Sequence, residues 1–328
     1  MPLPGAPRRF LSRFRTAPKV ELHLHLEGCV APATLVRLSA RWPRPIFPDP
    51  ASVRARRRLR GDFREFLAFY RDVCRCLTGP DDYAAVARDL VRRLRRERIR
   101  HIEVYVSPAV VERIGLPWDP VRDALEAVFA GHERRGGGRI RVLLDSVRQW
   151  GPAAAHRVLA LHERRPWPRA VGFGLGGDET AVPAREYADV YARARRLGLA
   201  PLVHAGEWGG PESVAAALRW LAPVRIAHGI RAAEDSALTR WLARRGVALD
   251  VCPSSNVATG ALPSLDAVAQ RVRRLLAAGV PVSISTDDPG LFGATLHGEY
   301  RKLAAAGLTA RELARLEAGG RAQDLSAP

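Results

Sequence analysis

Lysine is almost absent from this chain: only Lys19 and Lys302 occur in 328 residues. The formal charge is nevertheless +18, from 52 Lys+Arg against 34 Asp+Glu, so the basic excess is almost wholly arginine. That arginine is spread along the sequence. Its densest runs, 54–60 and 92–98, fall in helix-like stretches. Arginine is a good helix former, so a solvated helix face is the first reading and a phosphate-binding stripe the second. Cysteine is scarce too. Cys29, Cys74, Cys76 and Cys252 have the spacing of neither a zinc ribbon nor a disulfide framework, and they read as reduced thiols in a cytoplasmic protein. No apolar run approaches the roughly 18 residues that a membrane helix needs. The basic stretch to about residue 17 lacks the apolar centre of a secretory signal. It is expected to be a flexible basic N-terminal tail (1–17) ahead of one domain spanning 18–328. A solenoid repeat and low-complexity tracts are also missing, apart from the turn Gly136-Gly137-Gly138.

What is present is an alternation. Short β-rich runs at 20–25, 101–106, 139–144, 170–175, 200–204, 224–228, 247–251 and 281–286 are separated by amphipathic helical runs. The helical runs lie near 83–98, 119–134, 153–164, 184–197, 212–221, 234–245, 265–278 and 303–317. Alternation of this kind implies parallel strands with helical crossovers. Eight such units predict an α/β fold, a (β/α)8 TIM barrel, with an extra pair of helical segments inserted after strand 1, over 31–80. A doubly wound open sheet is the alternative. It would place a Gly-rich dinucleotide loop after the first strand, and none is there.

A barrel of this type carries its chemistry at the C-terminal strand ends. The first strand reads Val20-Glu21-Leu22-His23-Leu24-His25-Leu26-Glu27-Gly28. Strand side chains alternate between faces, so His23, His25 and Glu27 are expected inside the barrel and Leu22, Leu24 and Leu26 outside. Strand five ends in His204-Ala205-Gly206-Glu207, strand six in His228-Gly229 and strand eight in Asp287-Asp288-Pro289. Each piece alone is ordinary, since a first-turn acid or an Asp-Asp-Pro sequence also serves as a helix cap. Their convergence is not. His23, His25, His204 and Asp287 offer three nitrogens and one oxygen, a set that suits one Zn2+ with a water in the open position; iron or manganese also accept it. As catalytic candidates, Glu207 lies close enough to act as acid or base, His228 can orient or stabilise a hydroxide, and Asp288 is left to bind substrate or shuttle a proton. Binuclear barrel hydrolases that bridge two metals with a carboxylated lysine need that lysine on a middle strand, so its absence favours a mononuclear site. The H-x-E and P-C-x-x-C signature of cytidine-deaminase zinc sites is missing as well.

Together these residues resemble the adenosine deaminase family. The matching segments are Pro18 to Gly28, Gly174-Leu175-Gly176-Gly177-Asp178-Glu179, His204 to Glu207, Arg225 to Gly229, Cys252-Pro253-Ser254-Ser255-Asn256 and Ser285 to Pro289, in the family's order. The resemblance implies hydrolytic deamination of a 6-aminopurine nucleoside, foremost adenosine or 2′-deoxyadenosine, by a barrel with one zinc per chain. It implies that His23, His25, His204 and Asp287 hold the metal and that Glu207 protonates purine N1. His228 and Asp287 would position the attacking water, Asp288 would bond N7, and the Gly177 N–H would contact N3. His25 and Glu27 would lie near the ribose. Position 27 departs from the pattern: adenosine-specific members commonly carry Asp there. Phe173-Gly174-Leu175-Gly176-Gly177 and Asn256-Val257-Ala258-Thr259 resemble the bacterial branch that contains aminodeoxyfutalosine deaminases, while adenine deaminases are a further alternative. Val268-Ala269 stands where a His-Pro pair is common.

Trp208, Phe63, Phe66 and Phe69 are candidates for a pocket wall. The stripe of Phe63, Phe66, Phe69 and Tyr70 reads first as the apolar face of a helix. Cys252 reads as a small buried residue without chemistry. The expected partner is a small purine, with no membrane and no nucleic acid despite the charge. A non-catalytic nucleic-acid-binding protein on the same scaffold is the competing class. Such a scaffold should have lost a ligand or the acid, and here all are present.

Overall fold

The computed structural model describes residues 5–59 and 61–325. Residues 1–4, the final residue of the first arginine run and residues 326–328 lie outside the described residues. Eight parallel strands follow one another in sequence order: β1 (Lys19–Glu21), β2 (Ile99–Val106), β3 (Arg139–Val147), β4 (Ala170–Gly176), β5 (Ala200–Ala205), β6 (Arg225–His228), β7 (Ala248–Val251) and β8 (Val282–Ile284). Beyond β8 the chain returns to β1. Leu24 bridges Asp287, the His25 N–H donates to the Asp287 carbonyl at 2.9 Å, and the Asp287 N–H donates to the His23 carbonyl at 3.2 Å. The sheet therefore curls into a nearly closed barrel with helices around it, the (β/α)8 architecture that the alternation predicts.

The ladder of β1 is shorter than the run 20–25, for a local reason. The Ser285 hydroxyl accepts the N–H groups of both Leu22 and His23, at 3.3 and 3.1 Å, where strand partners would otherwise stand. Glu21 faces outward to Arg93, at 2.7 Å, whereas His23 faces inward. The strict alternation of the sequence reading therefore breaks between Glu21 and His23. Glu27 is no longer on a strand but opens a 3-10 turn, Glu27–Cys29.

Other elements differ from expectation in instructive ways. The N-terminal segment is not a tail: helix α1 (Gly5–Thr16) buries Phe10, Leu11 and Phe14. The Phe14 ring centroid lies 4.2 Å from that of Tyr300. Residues 10, 11 and 14 share one helical face, and that apolar stripe outweighs the basic composition. The insertion holds three helices rather than two: α2 (Pro32–Ser39), α3 (Pro50–Arg56) and α4 (Phe63–Arg75), followed by α5 (Pro80–Glu97). Proline opens α2, α3 and α5, where its missing N–H costs nothing. The single helix expected over 303–317 is two, Leu296–Ala305 and Ala310–Ala322. Gly307, at φ 90°, ends the first, and Thr309 with Glu312 forms a capping box at the second.

The barrel is filled in layers. At its base Arg225 is fully buried between Glu103 and Asp250, with Nε 2.6 Å from Asp250. The Leu325 N–H donates to Glu103 at 2.7 Å and the Gln323 carbonyl accepts from Arg225 at 2.8 Å, so the C-terminal segment closes this end. Above lies an apolar layer of Tyr105, Leu143 and Leu202. The polar residues of the strand ends form the top. Among the described residues, no helix is long and apolar enough to cross a membrane.

Candidate active site

Strand length decides which side chains reach the mouth of the barrel. On β1 and its extension, His23 and His25 project inward. The His23 ring centroid is 5.5 Å from that of His25, 4.9 Å from His204 and 4.9 Å from His228. His25 Nε2 lies 3.3 Å from His204 Nε2 and 3.5 Å from Asp287 Oδ1. His23 Nε2 lies 3.2 Å from Asp287 Oδ1. Two overlapping donor groups result, His23/His25/His204 and His23/His228/Asp287, each with its ligand atoms within 4.8 Å of one another. The four residues expected to hold a metal thus meet at one point, with His228 beside them.

The geometry has been prepared for a ligand. His204 Nδ1 sits 3.1 Å from the Leu175 carbonyl, which leaves Nε2 as the free donor atom. Cys252 Sγ stands 3.8 Å from His23 Nδ1, within hydrogen-bond reach for sulfur. Asn256 Nδ2 lies 3.1 Å from His228 Nδ1 and fixes the second imidazole. His228 and Asp287 both hold left-handed backbone, at φ 61° and 62°, which a non-glycine residue adopts at a cost of order 1–3 kcal/mol. Burial drives His25 down to about 4 and His228 to about 3, and holds His204 well below its ordinary value. Neutral imidazoles are the form that binds metal. Burial works against ionisation of Asp287, yet the hydrogen bond from His23 and the neighbouring imidazoles hold its carboxyl well below the usual range. Imidazole nitrogens and a carboxylate oxygen that converge in a buried site fit a divalent metal of the zinc type.

The buried imidazoles set a sign for pH dependence. In metal-free protein the unfolded chain takes up protons below about pH 6.5, while folded His25 and His228 refuse them down to about 4 and 3. Stability is therefore expected to fall as pH drops through that window. Urea midpoints of chelator-treated protein at pH 7.5, 6 and 5 check this; equal midpoints would contradict it.

The acids occupy distinct places. Glu207 is buried on the loop after β5, with one oxygen 3.4 Å from His228 Nε2 and the other accepting from the Thr259 hydroxyl at 3.4 Å. Burial, followed by the charges of Asp287 and Glu179, raises its carboxyl well above the ordinary range, so it is held protonated. Asp288 is buried and likewise raised by burial and by Asp287. Its side chain lies directly over Gly28, where a Cβ would come within 1.9 Å of Oδ1, so no other residue fits at position 28. Glu27 is pushed up to about 7 by burial, and its Oε2 accepts from the Tyr70 hydroxyl at 3.0 Å. Gly177 follows β4 at φ 90°, and a Cβ there would lie 2.4 Å from Gln149 Oε1.

Several participants escaped the sequence reading. Glu179 accepts the N–H groups of Gly206 (2.7 Å), Trp208 and Gly209, and the Ser213 hydroxyl at 3.0 Å. It thereby clamps the loop that carries Glu207. Arg148 donates to the His204 carbonyl at 2.9 Å. The aromatic stripe of α4 divides: Phe69 is core, while Phe63 meets Trp208 across the mouth with centroids 5.0 Å apart and Tyr70 reaches Glu27. Asp145 is the clearest omission. The sequence reading ends the third strand at 144, whereas β3 runs to Val147, and Asp145 follows Leu143 on the inward face. A lone acid in Leu143-Leu144-Asp145-Ser146-Val147 was the available signal. Two surface cavities, of about 500 and 310 Å3, lie elsewhere, and neither is lined by any of these residues. The site is identified by its converging groups.

Residues 18–323 match the family model described as adenosine deaminase. The chain belongs to the adenosine deaminase family. Its relatives within that family act on 6-aminopurine compounds. It is 35% identical over 285 residues to an aminodeoxyfutalosine deaminase of Streptomyces avermitilis, covering 86% of this chain and 79% of that one. It is 36% identical over 283 residues to an adenine deaminase of Chelativorans sp., covering 86% and 85%. Among solved structures, an adenine deaminase from Arthrobacter aurescens superimposes with a TM-score of 0.87 at 27% identity, covering 95% of each chain. An amidohydrolase from Burkholderia ambifaria with bound Zn also gives 0.87 at 27% identity, covering 100% of this chain and 90% of that one. The protein is thus a deaminase of a 6-aminopurine compound, a hydrolase acting on a C–N bond.

Proposed function

We propose that this deaminase holds one zinc ion per chain on His23, His25, His204 and Asp287 and exchanges the 6-amino group of its substrate for oxygen. Bound there, the metal supplies the Lewis acidity that makes a water nucleophilic near neutral pH. Glu207 gives its proton to N1, which draws electrons from C6. His228 and Asp287 orient the water against C6, and Asp288 meets the N7 side. The C6–O bond forms and the C6–N bond breaks; one proton of the water leaves with the amino group as ammonia, the other returns to Glu207, and a 6-oxopurine protonated at N1 remains. The observation that carries this reading is the place of Glu207: a buried carboxyl, its ionisation opposed by burial and by the charges of Asp287 and Glu179, lies 3.4 Å from His228 Nε2 beside the imidazole cluster, where a general acid would stand.

The substrate reading moves away from adenosine. The curated relatives named above act on aminodeoxyfutalosine or adenine, and Glu27 replaces the shorter acid of adenosine-specific members. We place aminodeoxyfutalosine first, on the Phe173 to Gly177 pattern, adenine second, and adenosine or 2′-deoxyadenosine third. The substrate is a small molecule. Nucleic acid is not required to explain the charge, since many of the arginines stand in ion pairs such as Arg93–Glu21, Arg225–Asp250 and Arg169–Glu126. Ammonia release by zinc-loaded protein from aminodeoxyfutalosine, adenine, adenosine and 2′-deoxyadenosine tests the reading. Turnover of aminodeoxyfutalosine at the highest kcat/KM is expected. Release from none of the four, with zinc bound, would overturn the assignment.

A further inference from the structure

Asp145 is a buried carboxylic group at the mouth of the barrel to which the reaction assigns no task. It is 5% exposed, and its Oδ1 has no hydrogen-bond partner. Its Oδ2 lies 4.0 Å from His25 Nδ1, too far for a hydrogen bond. Beside it, at the end of β4, Gly176 lies against the same groups: a Cβ there would make van der Waals contact with Asp145 Oδ2 at 3.6 Å and with the His204 ring at 3.4 Å. Across the pocket Glu27 presents a second unpartnered oxygen, Oε1, since Tyr70 takes only Oε2. A buried polar atom without a partner is costly to a folded protein and calls for an explanation, of which a bound ligand is one.

The order of strands around the barrel says which part of the substrate arrives there. Taking the reaction proposed above, C6 stands at the cluster of His23, His25, His204 and Asp287. Glu207 follows β5 and sits on the N1 side, while Asp288 follows β8 and sits on the N7 side. The remaining edge of the purine, N3 with N9 and whatever N9 carries, is left facing the arc from β1 to β4. Asp145 is the inward acid at the end of β3 in that arc.

We infer that Asp145 is a substrate-binding residue that sets specificity, taking a hydrogen bond from a donor next to purine N3: the N9–H of a free base or the 2′-hydroxyl of a ribonucleoside. Both donors present an N–H or O–H in the purine's N3–N9 region, and a carboxyl oxygen accepts from either. An analogue that lacks the donor leaves Oδ1 buried and unpaired, which is how a polar site rejects a near-isostere. The inference rests on the 6-aminopurine reading. The rival role is that of a group that merely orients His25 through Nδ1.

The test compares three substrate pairs on zinc-loaded protein: adenine with 9-methyladenine, adenosine with 2′-deoxyadenosine, and aminodeoxyfutalosine with its 2′-deoxy analogue. In one of the two donor classes the donor-bearing member is expected to win by about a hundredfold in kcat/KM, which identifies the donor. Asp145→Ala is expected to collapse that ratio to within about threefold, and Asp145→Asn, which keeps a carbonyl acceptor, to retain most of it. Zinc content after dialysis is expected to match wild type in both variants. Wild-type turnover with no discrimination in any pair would overturn the assignment of Asp145 alone. So would a variant that loses equal factors on both members, or one that loses zinc, the signature of a residue that orients His25. Wild-type protein that releases ammonia from none of the six compounds would overturn the deaminase reading and this one with it.

Discussion

Glu207→Ala is expected to keep its zinc and to lose turnover by about a thousandfold. The two results separate because of where the carboxyl stands. Its oxygens face His228 Nε2 and the Thr259 hydroxyl, each at 3.4 Å, and it belongs to neither group of donor atoms that converge on the metal position. Removing it leaves His23, His25, His204 and Asp287 where they are. What is lost is a proton held ready by burial and by the charges of Asp287 and Glu179. Positioned acids contribute typically about 10²–10⁴ in rate, so the midpoint of that range is the expectation. Glu207→Gln should behave alike, because an amide fills the space and cannot protonate a ring nitrogen. Metal content by mass spectrometry and kcat by ammonia release decide the matter. A Glu207→Ala enzyme running at the wild-type rate would sink the proposed mechanism, and one that lost its zinc would make Glu207 a ligand instead.

His204→Ala is expected to lose both metal and activity. His204 faces the cluster through Nε2, because its Nδ1 is committed to the Leu175 carbonyl, and it stands 3.3 Å from His25 Nε2. Deleting it removes one of three nitrogen donors and opens a hole between rings that pack at centroid distances near 5 Å, such as 4.9 Å to His23. Disturbing even the groups that orient such ligands typically costs about 10–100-fold in metal affinity, so loss of a ligand itself should empty the site after dialysis. Turnover should then fall to the detection limit and recover only in part when zinc is supplied in excess. A variant that retained stoichiometric zinc and normal kcat would remove His204 from the ligand set and return the choice to His228, the fifth member of the cluster.

The two expectations were legible in the sequence for different reasons. Histidines and acids at the ends of four β-like runs are informative wherever the runs close into one barrel, because parallel strands deliver their C-terminal ends to one face. Position along each run is then enough to bring His23, His25, His204, His228, Asp287, Asp288 and Glu207 together. The strand–helix alternation carried the fold in the same way, since hydrophobic periodicity is a local property. The apolar stripe of α1 was local as well, and was obscured only by the surrounding arginines.

The rest needed three dimensions. The break of alternation after Glu21 depends on the Ser285 hydroxyl, 264 positions away in sequence numbering (285 − 21), occupying two backbone donors. Arg225, to which the sequence reading gave no role beyond its place in the Arg225 to Gly229 segment, is fully buried because Glu103 and Asp250, on strands β2 and β7, meet it at the base of the barrel. Glu179 supports the Glu207 loop only because β4 and β5 are neighbours. Tyr70 and Phe63 leave the core face of α4 for the mouth of the site because the inserted helices fold over it. Asp145 becomes a candidate once β3 is seen to extend to Val147 and to present it inward with an unsatisfied oxygen. The sequence by itself determined the barrel and which histidines and acids gather at its mouth, because both follow from periodicity and from strand ends. Only the tertiary structure decided which polar groups are buried, which of them lack partners and what closes over the pocket, because burial and pairing arise between segments that the chain order keeps apart.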